Sequence, residues 1–242
     1  MIARMARADP THRLQRRLAC HQAVHDPRRD PRNRSPWLGE VRRWQAQRLE
    51  RSFRHFMDDP GRRPAARFFL TDVYGDHDFS RRDADIAKVM PMMQRLLPGL
   101  LLHTVADGIE LGALTHAFDL RVATALESLA PGGDHLEGAL YARAYRTVGL
   151  PRLRSRQIDL IHAVGNGLAS ALRQPGVATL LRVSRTPARA MGLEQLQGFL
   201  ERGVEAFRQL GDVPSFLDEI ERSEREVCTR LFAGEPDPFR PA

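Results

Sequence analysis

The sequence predicts an all-α protein, a single-domain helical bundle of about eight helices with no significant β-structure. Three observations carry this. Apolar residues recur at i, i+3, i+4 and i+7 through most of residues 37–233. No segment alternates with period two, and clusters of β-branched residues are absent. Glycine and proline fall mostly between the periodic segments, where they act as joints. Neither a fixed-period repeat nor a glycine-rich phosphate loop interrupts the pattern.

The elements follow in order. Residues 1–36 hold Pro10, Pro27, Pro31 and Pro36, nine arginines and no apolar periodicity. They are expected to stay a disordered arm, because such a stretch buries too little to offset its ordering entropy. Trp44, Leu49, Phe53 and Phe56 predict a helix over 38–58, stopped by Asp59-Pro60-Gly61. Pro64 opens a short helix that Gly75 ends. Ser80 is a good N-cap for a helix carrying Ile86, Val89, Met90, Met93 and Leu97, kinked at Pro91. Residues 100–129 are apolar on most faces, which predicts a central helix. Further helices are expected at 135–148, 152–173, 176–190, 193–210 and 214–232. The globular domain is thus set at 37–233, with 234–242 a disordered tail.

Charge is unevenly spread. The net charge is +7, yet residues 1–63 hold sixteen arginines against seven acids, +9, which leaves −2 for the rest. The arm can therefore make weak, non-specific contact with anions or nucleic acid, or none at all. Lys88 is the only lysine, an imbalance that speaks first of GC-rich codons. Cys20 and Cys228 make neither a disulfide framework nor a zinc pattern. No apolar run approaches a membrane span, and no apolar region follows the N-terminal positive charges. A reducing, cytoplasmic setting is the expectation.

Candidate chemistry comes in three groups. His103, Asp107 and Glu110 share one helical face, and Asp159 with His162 form a second i, i+3 pair. Together they offer nitrogen and oxygen ligands for iron or manganese. A di-iron bundle needs a second carboxylate-x-x-His, however, and His116-x-x-Asp119 runs in reverse. The plainer reading is a polar face with local hydrogen bonds. His116 lies in the apolar stripe of the central helix, either as a core histidine or as a haem ligand or base. Arg146, Arg152 and Arg156, with Arg154 among them, gather where two helices meet, either as an anion site or as a solvated basic corner. No nucleophile motif is present. Two function classes stay open: a non-catalytic helical protein acting through protein or ligand binding, and a metal- or haem-dependent oxidoreductase.

The segment Ala66-Arg67-Phe68-Phe69-Leu70-Thr71-Asp72-Val73-Tyr74-Gly75 resembles the signature of the bacterial FFLEELY-motif proteins. Arg43-Trp44-Gln45 and Phe199-Leu200-Glu201-Arg202-Gly203 are similar as well. Thr71-Asp72-Val73 stands where the name has Glu-Glu-Leu. The resemblance implies a bacterial origin and a shared fold, and it supplies no catalytic residue. Physically, Phe68, Phe69, Leu70 and Tyr74 cover much of the circumference of a short helix, which suits core packing.

Overall fold

The computed structural model describes residues 10–73, 99–174, 176–183, 185–192 and 194–240. Among them there are helices and no strand. In order they are α1 (Pro10–His25), a 3-10 turn (Pro31–Arg34), α2 (Trp37–Ser52), α3 (Arg54–Asp58), α4 (Arg63–Phe68) running into a π turn (Phe69–Val73), α5 (Gly99–Leu129), α6 (Gly138–Val148), α7 (Pro151–Leu172), α8 (Val177–Val183), α9 (Arg185–Ala190), α10 (Glu194–Gln209) and α11 (Val213–Ala233). The expected helix led by Ser80, and Tyr74, lie outside the described residues.

Helix α5 is the centre, with α1, α2, α6 and α7 packed around it. It is buried along most of its length because its apolar residues leave it no single wet face. Two large apolar cores form around it, beside a smaller one against α1. One gathers Phe53, Phe56, Phe68, Phe207 and Phe216. The other gathers Trp37, Trp44, Leu126, Tyr141 and Leu231. Helix α11 runs through both, with Phe216 and Leu217 in the first and Val227 and Leu231 in the second. Its start is fixed by Asp212, whose side chain accepts from the Ser215 amide at 3.0 Å, and its end by Gly234 at φ +73°. Gly167 lets α7 approach α5: a methyl group there would stand 2.6 Å from Cγ2 of Thr104. Gly165 does the same for α11, at Leu217.

Several boundaries differ from the sequence expectation. The helix expected over 38–58 breaks at Phe53, whose φ of −108° turns the ring into the core. The helix expected over 176–190 is two short ones.

The arm differs more. Pro10–His25 is helical, and Leu14 and Leu18 are buried against Leu102, Ala106 and Ile109 of α5. Leu14, Leu18, His21 and His25 lie on one face at i, i+4, i+7 and i+11. Arg13 and Arg17 each donate to Asp107 at 2.7 Å, and Arg17 also pairs with Glu110. These guanidinium groups are thus turned toward the protein's own carboxylates.

The tail beyond 233 also differs. Arg230 donates to the Arg240 carbonyl at 2.7 Å, and the Phe239 ring meets Trp44 edge-on at 5.0 Å.

Candidate functional site

The residues singled out for metal binding do not converge. Asp107 and Glu110 face α1 and are held by its arginines, and Glu110 also accepts from Arg156 at 3.0 Å. Asp159 accepts from Arg225 of α11. His162 bonds Asp218 at 2.8 Å, on the α11 side of α7. The Nδ1 atom of His103 is buried with no hydrogen-bond partner among the described residues. Among the described residues no three His, Cys, Asp or Glu side chains stand close enough together to hold a metal. The physical reason is composition: in an arginine-rich chain, each carboxylate of the set meets a guanidinium or a histidine before it meets another carboxylate.

His116 is 4% exposed and neutral. Its Nδ1 accepts from Arg42 at 2.8 Å, so its Nε2–H donates to the Asn33 side-chain oxygen at 2.8 Å. The ring stacks on His25 at 3.9 Å. Burial, followed by the charge of His25 and Arg42, pushes its pKa down to about 3. One turn along α5, Asp119 accepts from Gln45 at 2.6 Å, with Arg42 Nε 4.0 Å away. Burial pushes its pKa up to about 6, against the Gln45 hydrogen bond and the charges of Arg42 and Arg154.

The basic corner divides. Arg152 and Arg146 are exposed, and Arg156 turns to Glu110. Arg154 turns inward and is only 6% exposed. Its guanidinium lies 3.6 Å from the Phe118 ring centre and 4.4 Å from that of Tyr145. It donates to Gln157 at 3.2 Å, and Gln157 in turn donates to Thr115 at 2.8 Å. Its Nε has no acceptor among the described residues.

Arg154 borders a cavity of about 80 Å³ at the seam of the two cores. Phe53, Phe69, Ile161 and Ile220 line it from one core, Tyr141, Val227 and Phe239 from the other, and Ile158 lines it as well. Its polar groups are Gln45, Gln157, Arg154, the paired Arg48 and Glu224, and Cys228. Arg48 is buried and grips Glu224 with both terminal nitrogens. Burial alone would lower its pKa, and the carboxylate more than reverses this. Burial pushes both phenols up, at Tyr141 and Tyr145. Tyr145 donates its hydroxyl to Cys228 Sγ at 3.2 Å.

Sequence reasoning missed this site. The available signal was the register of α7: Arg154, Ile158, Ile161 and Gly165 fall on one face, so Arg154 had to point inward.

No curated protein and no solved structure is similar to this chain. No helix among the described residues is long and apolar enough to cross a membrane. The model of one family, described as a domain of unknown function (DUF8198), matches residues 24–238, which takes in α2 to α11 and every residue of the cavity except Phe239. The chain belongs to the DUF8198 family.

Proposed function

We propose that this protein is a non-catalytic helical binding protein whose interior cavity holds a small molecule with a mainly apolar body. One observation carries the reading: the cavity lies between two aromatic cores and keeps a few polar groups on its wall, the usual composition of a small-molecule site. The polar groups suit holding better than proton transfer. Both phenols stay protonated at neutral pH, and Arg48 is committed to Glu224. The likeness of residues 66–75 to the FFLEELY-motif proteins fits this reading, because Phe69 and Leu70 line the cavity and act there through packing.

The test is ligand-observed NMR with 1-butanol, comparing the native chain with Ala66→Phe. Ala66 is 2% exposed and borders the cavity, so a larger side chain fills it. Saturable binding to the native protein, lost in the filled variant, is the expected result. Equal signals from both proteins would sink the proposal.

A further inference from the structure

Resting on the reading of the cavity as a ligand site, we infer that its ligand is a small carboxylate, held by the Arg154 guanidinium with its apolar part against Ile158, Ile161 and Ile220.

The argument starts from the buried charges. Arg48, Asp119, Arg154 and Arg230 are the charged side chains at or below 9% exposure among the described residues. Arg48 has Glu224, Arg230 has Glu226, and Asp119 has Arg42 at 4.0 Å. Of these four, Arg154 is the one with no carboxylate within ion-pair distance among the described residues. A buried cation without a counter-charge is costly, and an arginine cannot shed its proton to escape the cost.

The surroundings fix this cation in place. Rings lie over it, at Phe118 and Tyr145, and Gln157 holds one terminal nitrogen while being anchored itself by Thr115. That leaves Nε buried and without an acceptor among the described residues, on a side chain that lines the cavity.

Ligand class follows from shape and charge. The planar guanidinium edge matches a carboxylate. A single unpaired cation matches a monoanion and leaves a phosphate dianion uncompensated. Space of about 80 Å³ takes a molecule of a few non-hydrogen atoms. Isoleucines on the wall favour an alkyl body over a second polar group.

The test is titration of the full chain, by calorimetry at neutral pH, with propionate and butyrate against 1-propanol, 1-butanol and inorganic phosphate. Carboxylates should bind at least about tenfold more tightly than the alcohols of equal length, as a charge-assisted hydrogen bond provides. Arg154→Gln should remove that preference and leave alcohol binding in place. Arg154→Lys keeps the buried cation should the glutamine variant fail to fold, and it should weaken carboxylate binding because it lacks the planar edge. Equal binding of carboxylates and alcohols would overturn the inference while leaving the cavity reading intact. Phosphate binding as tight as propionate, or full carboxylate preference in both variants, would also overturn it. No binding of any probe would overturn both, with water as the partner of Nε.

Discussion

Replacing Asp119 by Asn tests the electrostatics of the interior directly. The residue is 6% exposed, and burial lifts its pKa from the usual 3.8 to about 6. The shift of about two units corresponds to about 3 kcal/mol, at roughly 1.4 kcal/mol per unit. The sign follows from linkage. Because the folded pKa is raised, the contribution of Asp119 to stability is fully present below pH 3.8 and is lost as pH rises through 6. Asparagine keeps the oxygen that accepts from Gln45 and removes the titration. The stability of Asp119→Asn relative to the native chain should therefore climb by about 3 kcal/mol between about pH 4 and pH 7, then level off. Urea denaturation followed by circular dichroism across that range measures it. His116 acts in the opposite sense, since its folded pKa is lowered to about 3 and its contribution fades as pH falls below 6.5. That effect is common to both proteins and cancels in the difference. A flat difference, or one that falls with rising pH, would refute the argument that ionised Asp119 is a buried and under-compensated charge.

Three further predictions concern packing. Phe68→Ala should cost about 3–5 kcal/mol and Phe69→Ala clearly less, because Phe68 is 5% exposed while Phe69 is half-buried beside the cavity; chemical denaturation giving the reverse order would contradict the placement of the two rings. Gly167→Ala should destabilise by about 1–3 kcal/mol despite the better helix propensity of alanine, because the methyl group would press on Thr104, which is 7% exposed and has nowhere to go. A gain in melting temperature would show that α5 and α7 can part without cost. Deleting residues 1–36 removes buried Leu14 and Leu18, together with Asn33 from His116. Two buried leucines contribute about 3–6 kcal/mol, so the melting temperature should fall by about 6 °C or more, and an unchanged melting curve would return the arm to the dispensable role its composition suggests.

Most of the helices described within residues 37–233 were legible because they carry an apolar stripe between glycine or proline joints, whereas the break at Phe53 carries no such mark. Helix α1 was not. Its stripe is only Leu14 and Leu18 extended by two histidines, and the arginines around it read as solvated until their partners on α5 are seen. The tail was illegible for a similar reason: Phe239 is a lone aromatic whose seat, Trp44 and Tyr141, lies far away in sequence. For the site, helical geometry correctly put His103, Asp107 and Glu110 on one face of α5 and Asp159 beside His162 on α7. Spacing within a helix says nothing about which helix lies opposite. Asp107 and Glu110 met α1, while Asp159 and His162 met α11. A cavity bounded by several helices and the tail leaves little local pattern in the chain beyond the inward register of Arg154 on α7.

Arg154 on the cavity wall and Asp119, bonded to the cavity's Gln45, are both buried and kept apart, and that separation is the strongest argument for a site rather than a core. Asp119 feels the charge of Arg154, yet the two make no ion pair. Each is bonded instead to a neutral glutamine, Asp119 to Gln45 and Arg154 to Gln157, and both glutamines border the cavity. Direct pairing would ease the desolvation of both ions at once. The observed arrangement leaves Asp119 with a raised pKa and Arg154 Nε without an acceptor among the described residues. A core selected for stability alone would close this gap with an ion pair or with apolar side chains. Keeping it open stores unspent binding capacity at the guanidinium, which is what an interior anion site requires.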